Sequence, residues 1–167
     1  QAQADSGRIA AMAKSLNSPI AELEKKIEQV VEQSKKLEKQ IKTIQQSRAA
    51  ETARDLAAKA EAAGDIPFIS ANLGAADGNF AQAVVDALKG EFEGVVVLGA
   101  TENGNVALVA SVSESLTNRA QAGKIIQTIA PIVGGKGGGK STQARGAGRE
   151  TNKLDEALAE VQRILAN

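Results

Sequence analysis

IVGGKGGGKSTQARGAGRE, residues 132–150, decides how the rest of the chain is read. Within it, Gly134–Ser141 spell GGKGGGKS, which satisfies the G-x-x-x-x-G-K-[S/T] pattern of a nucleotide phosphate loop. Such a loop needs a buried strand before it and a helix that starts at its Lys-Ser/Thr. Here the preceding segment reads as helical up to Pro131, which leaves only Ile132 and Val133 for a strand end. After Ser141, Gly146 and Gly148 oppose a helix. Only 26 residues follow Ser141, too few for further parallel strands, a magnesium-binding Asp and base-binding loops. The stretch is read as a glycine-rich loop, 134–148, with another purpose.

Charge supplies that purpose. Residues 131–150 hold 4 basic side chains and 1 acidic one, whereas residues 1–65 hold 11 and 10, residues 66–130 hold 3 and 6, and residues 151–167 hold 2 and 3. Lys136, Lys140, Arg145 and Arg149 are thus the only concentrated positive charge in a chain of zero formal net charge. They alternate with Gly134, Gly135, Gly137, Gly138, Gly139, Gly146 and Gly148. Glycine lets backbone N–H groups approach a phosphate, and Lys and Arg add charge. Exposed amides with flexible cations suit a sugar-phosphate backbone or the wide minor groove of folded RNA. The stretch contains no aromatic residue on which a base could stack, so it predicts recognition of shape and backbone.

The flanks read as a small α/β body. Residues 66–72 (IPFISAN) predict a strand and 77–89 a helix with Phe80, Val84 and Leu88 on one face. Residues 94–100 and 105–112 predict strands, and the Asn103-Gly104 pair between them predicts a hairpin. Residues 117–130 predict a helix stopped by Pro131. Asn152 is placed as the cap of a last helix with Leu154, Leu158, Val161 and Leu165 inward. The reading gives about three or four strands in residues 65–167.

Upstream, residues 1–64 read as a helical arm. Residues 5–16 can form a short helix, and Ser18-Pro19 suits a new helix start. Ile20, Leu23, Ile27, Val30, Leu37, Ile41 and Ile44 then recur at coiled-coil spacing, with Ser34 in one core position. If the helix continues to Ala63 it is about 68 Å long. Such a stripe cannot be buried on a small domain; it needs the first helix folded back, a second chain, or both. The fold class expected is therefore α+β or α/β, with a helical hairpin or coiled-coil arm before a small globular domain.

Composition narrows the chemistry. Without cysteine or histidine there is no disulfide, thiolate or imidazole, and Ser-His and Cys-His pairs are impossible. A metal would need carboxylates alone, and no cofactor is called for. The absence of cysteine fits a reducing compartment, the cytoplasm. No apolar run is long enough to span a bilayer. Only Phe68, Phe80 and Phe92 are aromatic, so the core must be aliphatic. The chain begins with Gln and reads as a piece of something longer.

The combination resembles a known arrangement. GGKGGGKSTQARGAG resembles the glycine-rich signature that closes alanyl-tRNA synthetases. GRIAAMAKSLNSPIAELEKKIEQVVEQSKKLEKQIKTIQ resembles their helical dimerisation region. The body from Ile66 onward is similar to their C-terminal globular domain (C-Ala), a type also attached to DHH-type phosphoesterases. The resemblance implies a non-catalytic appendage that grips the outer corner of tRNA-Ala, helps aminoacylation and editing modules share one tRNA, and pairs subunits into a homodimer through Ile20–Ile44. The nucleic-acid role falls on Gly134–Lys140, Arg145, Gly146 and Gly148, with Arg149 added on charge alone. Ser141 departs from the family's usual Pro or Asp, and Arg145 from its frequent Gln. Two alternatives stand beside this one. One is a structural coiled-coil module without RNA affinity. The other is the nucleic-acid-binding domain of a DHH-type phosphoesterase, although the His of that family's glycine motif is missing here.

Overall fold

The computed structural model describes residues 7–9, 11 and 20–167, with the backbone alone at 20 and 21. In order, the elements are α1 (Ile20–Ala57), β1 (Glu61–Ala63), β2 (Ile66–Ala75), α2 (Gly78–Lys89), β3 (Val95–Glu102), β4 (Asn105–Val112), α3 (Ala122–Ile129), β5 (Lys136–Gly139), β6 (Gln143–Gly148) and α4 (Leu154–Ala166). The division between two compact units falls between Ile44 and Gln45. In the first unit the helical stripe is open to solvent: Ile27, Val30, Leu37, Ile41 and Ile44 are each more than half exposed, and Leu23 is partly buried. The long helix and the mixed α/β body match the expected fold class.

The second unit is built on a six-stranded sheet in the order β1-β2-β3-β4-β6-β5. Strands β2 and β3 are parallel and joined by α2, and every other neighbouring pair is antiparallel. The run Val95-Val96-Val97-Leu98 is fully apolar because both faces of its strand are covered. Val95 and Val97 face a core shared with Ile125, Ile126 and Ile129 of α3 and Leu154, Leu158 and Val161 of α4. Val96 and Leu98 face the opposite core, with Val84, Val85 and Leu88 of α2 and with Ala49 and Ala53 near the end of α1.

Local chemistry explains the elements. The Asp77 carboxylate accepts the Phe80 N–H at 2.6 Å and caps α2. That helix buries Ala81, Val84, Val85 and Leu88, spaced three and four apart. Asn103 (φ 51°) and Gly104 (φ 77°) are both left-handed, as a two-residue hairpin turn of the primed type requires.

The structure corrects several expectations. Helix α1 ends at Ala57, not Ala63; Glu61–Ala63 folds back as β1 onto Ile66–Phe68 around Gly64, whose φ is 63°. Helix α3 begins at Ala122 rather than 117, after a short 3-10 turn at Glu114–Leu116. Asn152 does not cap α4; it lies within a 3-10 turn, Thr151–Lys153, that leads into the helix. The glycine-rich stretch is no loop: it forms β5 and β6, and the sheet has six strands instead of three or four. Gly7–Ile9 and Ala11 are helical, while the rest of the expected 5–16 helix, Ser18, Pro19 and the Ile20 side chain lie outside the described residues.

Candidate nucleic-acid interface

Strand β5 is an edge of the sheet, and a two-residue turn at Ser141-Thr142 joins it to β6. The Lys140 N–H donates to the Gln143 carbonyl at 2.8 Å and closes the turn. Lys136 then lies opposite Ala147, Gly137 opposite Gly146, Gly138 opposite Arg145 and Gly139 opposite Ala144. Lys140-Ser141 is therefore a hairpin tip. The next α-helix in the chain starts only at Leu154, so no helix begins at the Lys-Ser pair and the geometry of a nucleotide loop is absent.

Most of the glycines answer to packing. Helix α3 lies directly on the hairpin: the N–H groups of Ala122 and Gly123 donate to the carbonyls of Ser141 and Lys140, at 2.8 and 3.0 Å. A Cβ on Gly137 would stand 2.5 Å from Cγ2 of Ile126, and one on Gly146 would stand 2.9 Å from the same methyl. One on Gly148 would be 2.3 Å from the Val133 carbonyl, and one on Gly139 2.5 Å from Cα of Ala144. Gly135 is tighter still, against the Ala147 carbonyl. Gly138 differs, since its nearest neighbour would be Nε2 of Gln127 at 3.4 Å. Gly134 combines a φ of 67° with close approach to the Glu150 carboxylate.

The cations use the rest of the hairpin. In the pleat, Ala144, Gly146 and Gly148 share the face that meets α3, so Arg145 and Ala147 belong to the opposite face, with Lys136 and Gly138 at their register. Arg145 Nε donates to Oε1 of Gln82 on α2 at 2.9 Å, and Nε2 of Gln82 donates to Asp86 at 2.8 Å. Lys89 pairs with Asp86 at 3.5 Å and donates to Gln143 at 3.1 Å. Lys140 occupies the tip. Arg149 follows β6, with its N–H donating to the Val133 carbonyl at 2.9 Å. Lys136, Lys140, Arg145 and Arg149 are all exposed, and none has an ion-pair partner among the described residues. The one acid of the stretch, Glu150, is held by Lys153 at 2.8 Å. The hydrogen bond and charge of Glu150 push the exposed Lys153 above its ordinary pKa.

The structure thus brings Lys136, Lys140 and Arg145 onto one hairpin and sets Arg149 at its base, with about 13 Å of strand between Lys136 and Lys140. The sequence reading missed Lys124. It is exposed on α3, one residue beyond the glycine that bonds Lys140, and only the packing of α3 on the hairpin reveals it. Among the described residues there is no group of three or more acidic, histidine or cysteine side chains that could hold a metal, and no helix long and apolar enough to cross a membrane.

Comparison with known proteins gives a consistent pattern. The DHHA1 domain model matches residues 65–167. The alanine–tRNA ligase of Hydrogenovibrio crunogenus is 36% identical over 156 residues, 93% of this chain and 18% of that protein. The alanine–tRNA ligase of Acidithiobacillus ferridurans is 35% identical over 157 residues, with the same two coverages. The chain therefore spans under a fifth of the length of these relatives. Among solved structures, the C-Ala domain from Aquifex aeolicus alanyl-tRNA synthetase superposes with a TM-score of 0.60 at 22% identity, covering 65% of this chain and 98% of that one. At that identity the likeness concerns the fold.

Proposed function

This chain belongs to the DHHA1 domain family, and from that premise we propose that it is the C-terminal, non-catalytic part of a cytoplasmic alanine–tRNA ligase. The β5–β6 hairpin binds the outer corner of tRNA-Ala. By holding the tRNA there, the domain helps the aminoacylation and editing modules of the parent chain act on one molecule. The helical arm contributes a homodimer contact through Ile20, Leu23, Ile27, Val30, Leu37, Ile41 and Ile44.

One observation carries the RNA reading: an edge hairpin and its base present four exposed cations free of ion pairs among the described residues, while the one acid of the stretch is paired with Lys153. Cations spaced along an extended strand suit successive phosphates better than a single anion. Arg145 is steadied by Gln82, so less side-chain freedom is lost when it meets a phosphate. The similarity to alanine–tRNA ligases over more than nine-tenths of the chain supports the choice of tRNA.

The test is a gel-shift titration with tRNA-Ala, a non-cognate tRNA and a linear RNA at several salt concentrations. Affinity for the tRNAs should fall steeply with salt, because phosphate contacts release counterions. The double variant Lys136→Ala, Lys140→Ala should weaken binding similarly across tRNAs and lower the salt slope by about 2. Undiminished binding by that variant would remove the hairpin from the interface.

A further inference from the structure

A cleft of the second unit, about 650 Å³, has a character opposite to that of the hairpin. It lies where α2 ends, β3 begins and β4 ends, and Thr142 of the hairpin turn forms part of its wall. Its shape is fixed by short-range bonds. The N–H groups of Glu91 and Phe92 both donate to the Leu88 carbonyl, at 3.0 and 2.7 Å, and turn the chain back beneath the helix. The Gly94 N–H donates to Ser113 Oγ at 2.9 Å, and the Ser113 N–H returns a bond to the Gly94 carbonyl at 3.1 Å. The Phe92 ring lies against Gly94, where an added Cβ would stand 2.5 Å from it.

Three carboxylates line this cleft: Glu91, Glu93 and Glu114. All are exposed, and none has an ion-pair partner among the described residues. The C-terminal end of α2 adds partial negative charge. Lys89, the one cation in the wall, is already matched by Asp86. Ser111 supplies a second, independent observation. It lines the same cleft, it is the buried polar residue of the core at 5% exposure, and its hydroxyl has no hydrogen-bond partner among the described residues. A buried hydroxyl without a partner is costly, and a ligand donor would satisfy it.

We propose that this cleft receives the guanidinium of an arginine on an exposed segment of a protein partner. The field at its mouth repels phosphate, so it is not an extension of the RNA surface. A flat cation can lie against the Phe92 ring while its N–H groups reach the glutamates at the rim and the Ser111 oxygen within. An ammonium offers a compact charge and no planar face, so lysine fits less well.

Fluorescence anisotropy on the 167-residue chain tests this, with a short labelled peptide carrying a central arginine. The controls are the same peptide with lysine or with citrulline, which keeps the shape and loses the charge. The arginine peptide should bind in a salt-sensitive way and the citrulline peptide about tenfold more weakly, from the lost cation–π and ion-pair terms. Glu91→Gln with Glu114→Gln should reproduce that loss, Ser111→Ala should weaken binding several-fold, and Lys136→Ala should leave it unchanged. Equal binding of the arginine and citrulline peptides would overturn the proposal. So would arginine binding that is lost with the glutamates but indifferent to both Ser111→Ala and Phe92→Leu, since that is surface charge alone. If Phe92→Leu does not fold, the peptide comparison on the unaltered chain decides.

Discussion

Gly137 lies so close beneath Ile126 that a Cβ on it would stand 2.5 Å from the Ile126 Cγ2 methyl, and equally close to Cα of Gly146. The glycines of the hairpin therefore let α3 seat on β5 and β6. Gly137→Ala must displace the helix or the strand, and a loss of about 1–3 kcal/mol is expected in urea unfolding. Gly138→Ala meets only the flexible end of Gln127 at 3.4 Å and should change stability by less than about 1 kcal/mol. With stability preserved, this variant isolates backbone approach. Weaker tRNA binding is the expected outcome, and unchanged binding would show that the side-chain cations act without it.

The same contact explains what sequence could and could not reveal. The Asn103-Gly104 turn and the apolar face of α2 rest on neighbours within a few residues, and both are found where pattern reading places them. Strands β5 and β6 are different. Glycine has poor strand propensity, and KGGG and QARGAG show no apolar alternation. Their extended form comes from β4, which is remote in sequence and pairs with β6, and from the packing of α3 above. The expected continuation of the helix to Ala63 failed for a related reason. Alanine favours helix, but Gly64 at φ 63° reverses the chain so that Glu61–Ala63 pairs with β2. Of the candidate site, the clustering of positive charge was legible. The restraint on Arg145 by Gln82 and the placement of Lys124 were not, because each joins segments distant in the chain.

Stability should be nearly independent of pH from about 6 to 9. The chain has no histidine and no cysteine, the side chains that ordinarily titrate there. The pKa of the Lys153 ammonium is raised above the ordinary lysine value of 10.5 by its hydrogen bond to Glu150 and by that group's charge. A raised folded-state pKa contributes stability that is fully present below the unfolded value and is lost as pH rises through the folded one. Any loss from this pair therefore begins only near the ordinary lysine value of 10.5, above this window, and its exposure to solvent keeps it small. Urea midpoints measured across pH 6–9 should coincide. A sigmoidal change in that window would point to a titrating group that these residues do not supply.

Dimerisation can be separated from the folding of the body. Ile27, Val30, Leu37, Ile41 and Ile44 are all more than half exposed, and covering one such side chain is worth roughly 1.5–3 kcal/mol. A helical segment with this stripe uncovered gains little from packing, and isolated helices are only marginally stable in water. Pairing of two copies should therefore appear both as mass and as helicity. Sedimentation equilibrium should give a dimer at concentrations on the order of tens of micromolar, with helical circular dichroism falling on dilution. Leu37→Asp with Ile41→Asp should yield a monomer with reduced helicity. The unfolding transition of the second unit should be unchanged, because both substitutions lie in the first. A native chain that is monomeric at those concentrations would remove the arm from the dimer contact and leave its apolar stripe to another partner.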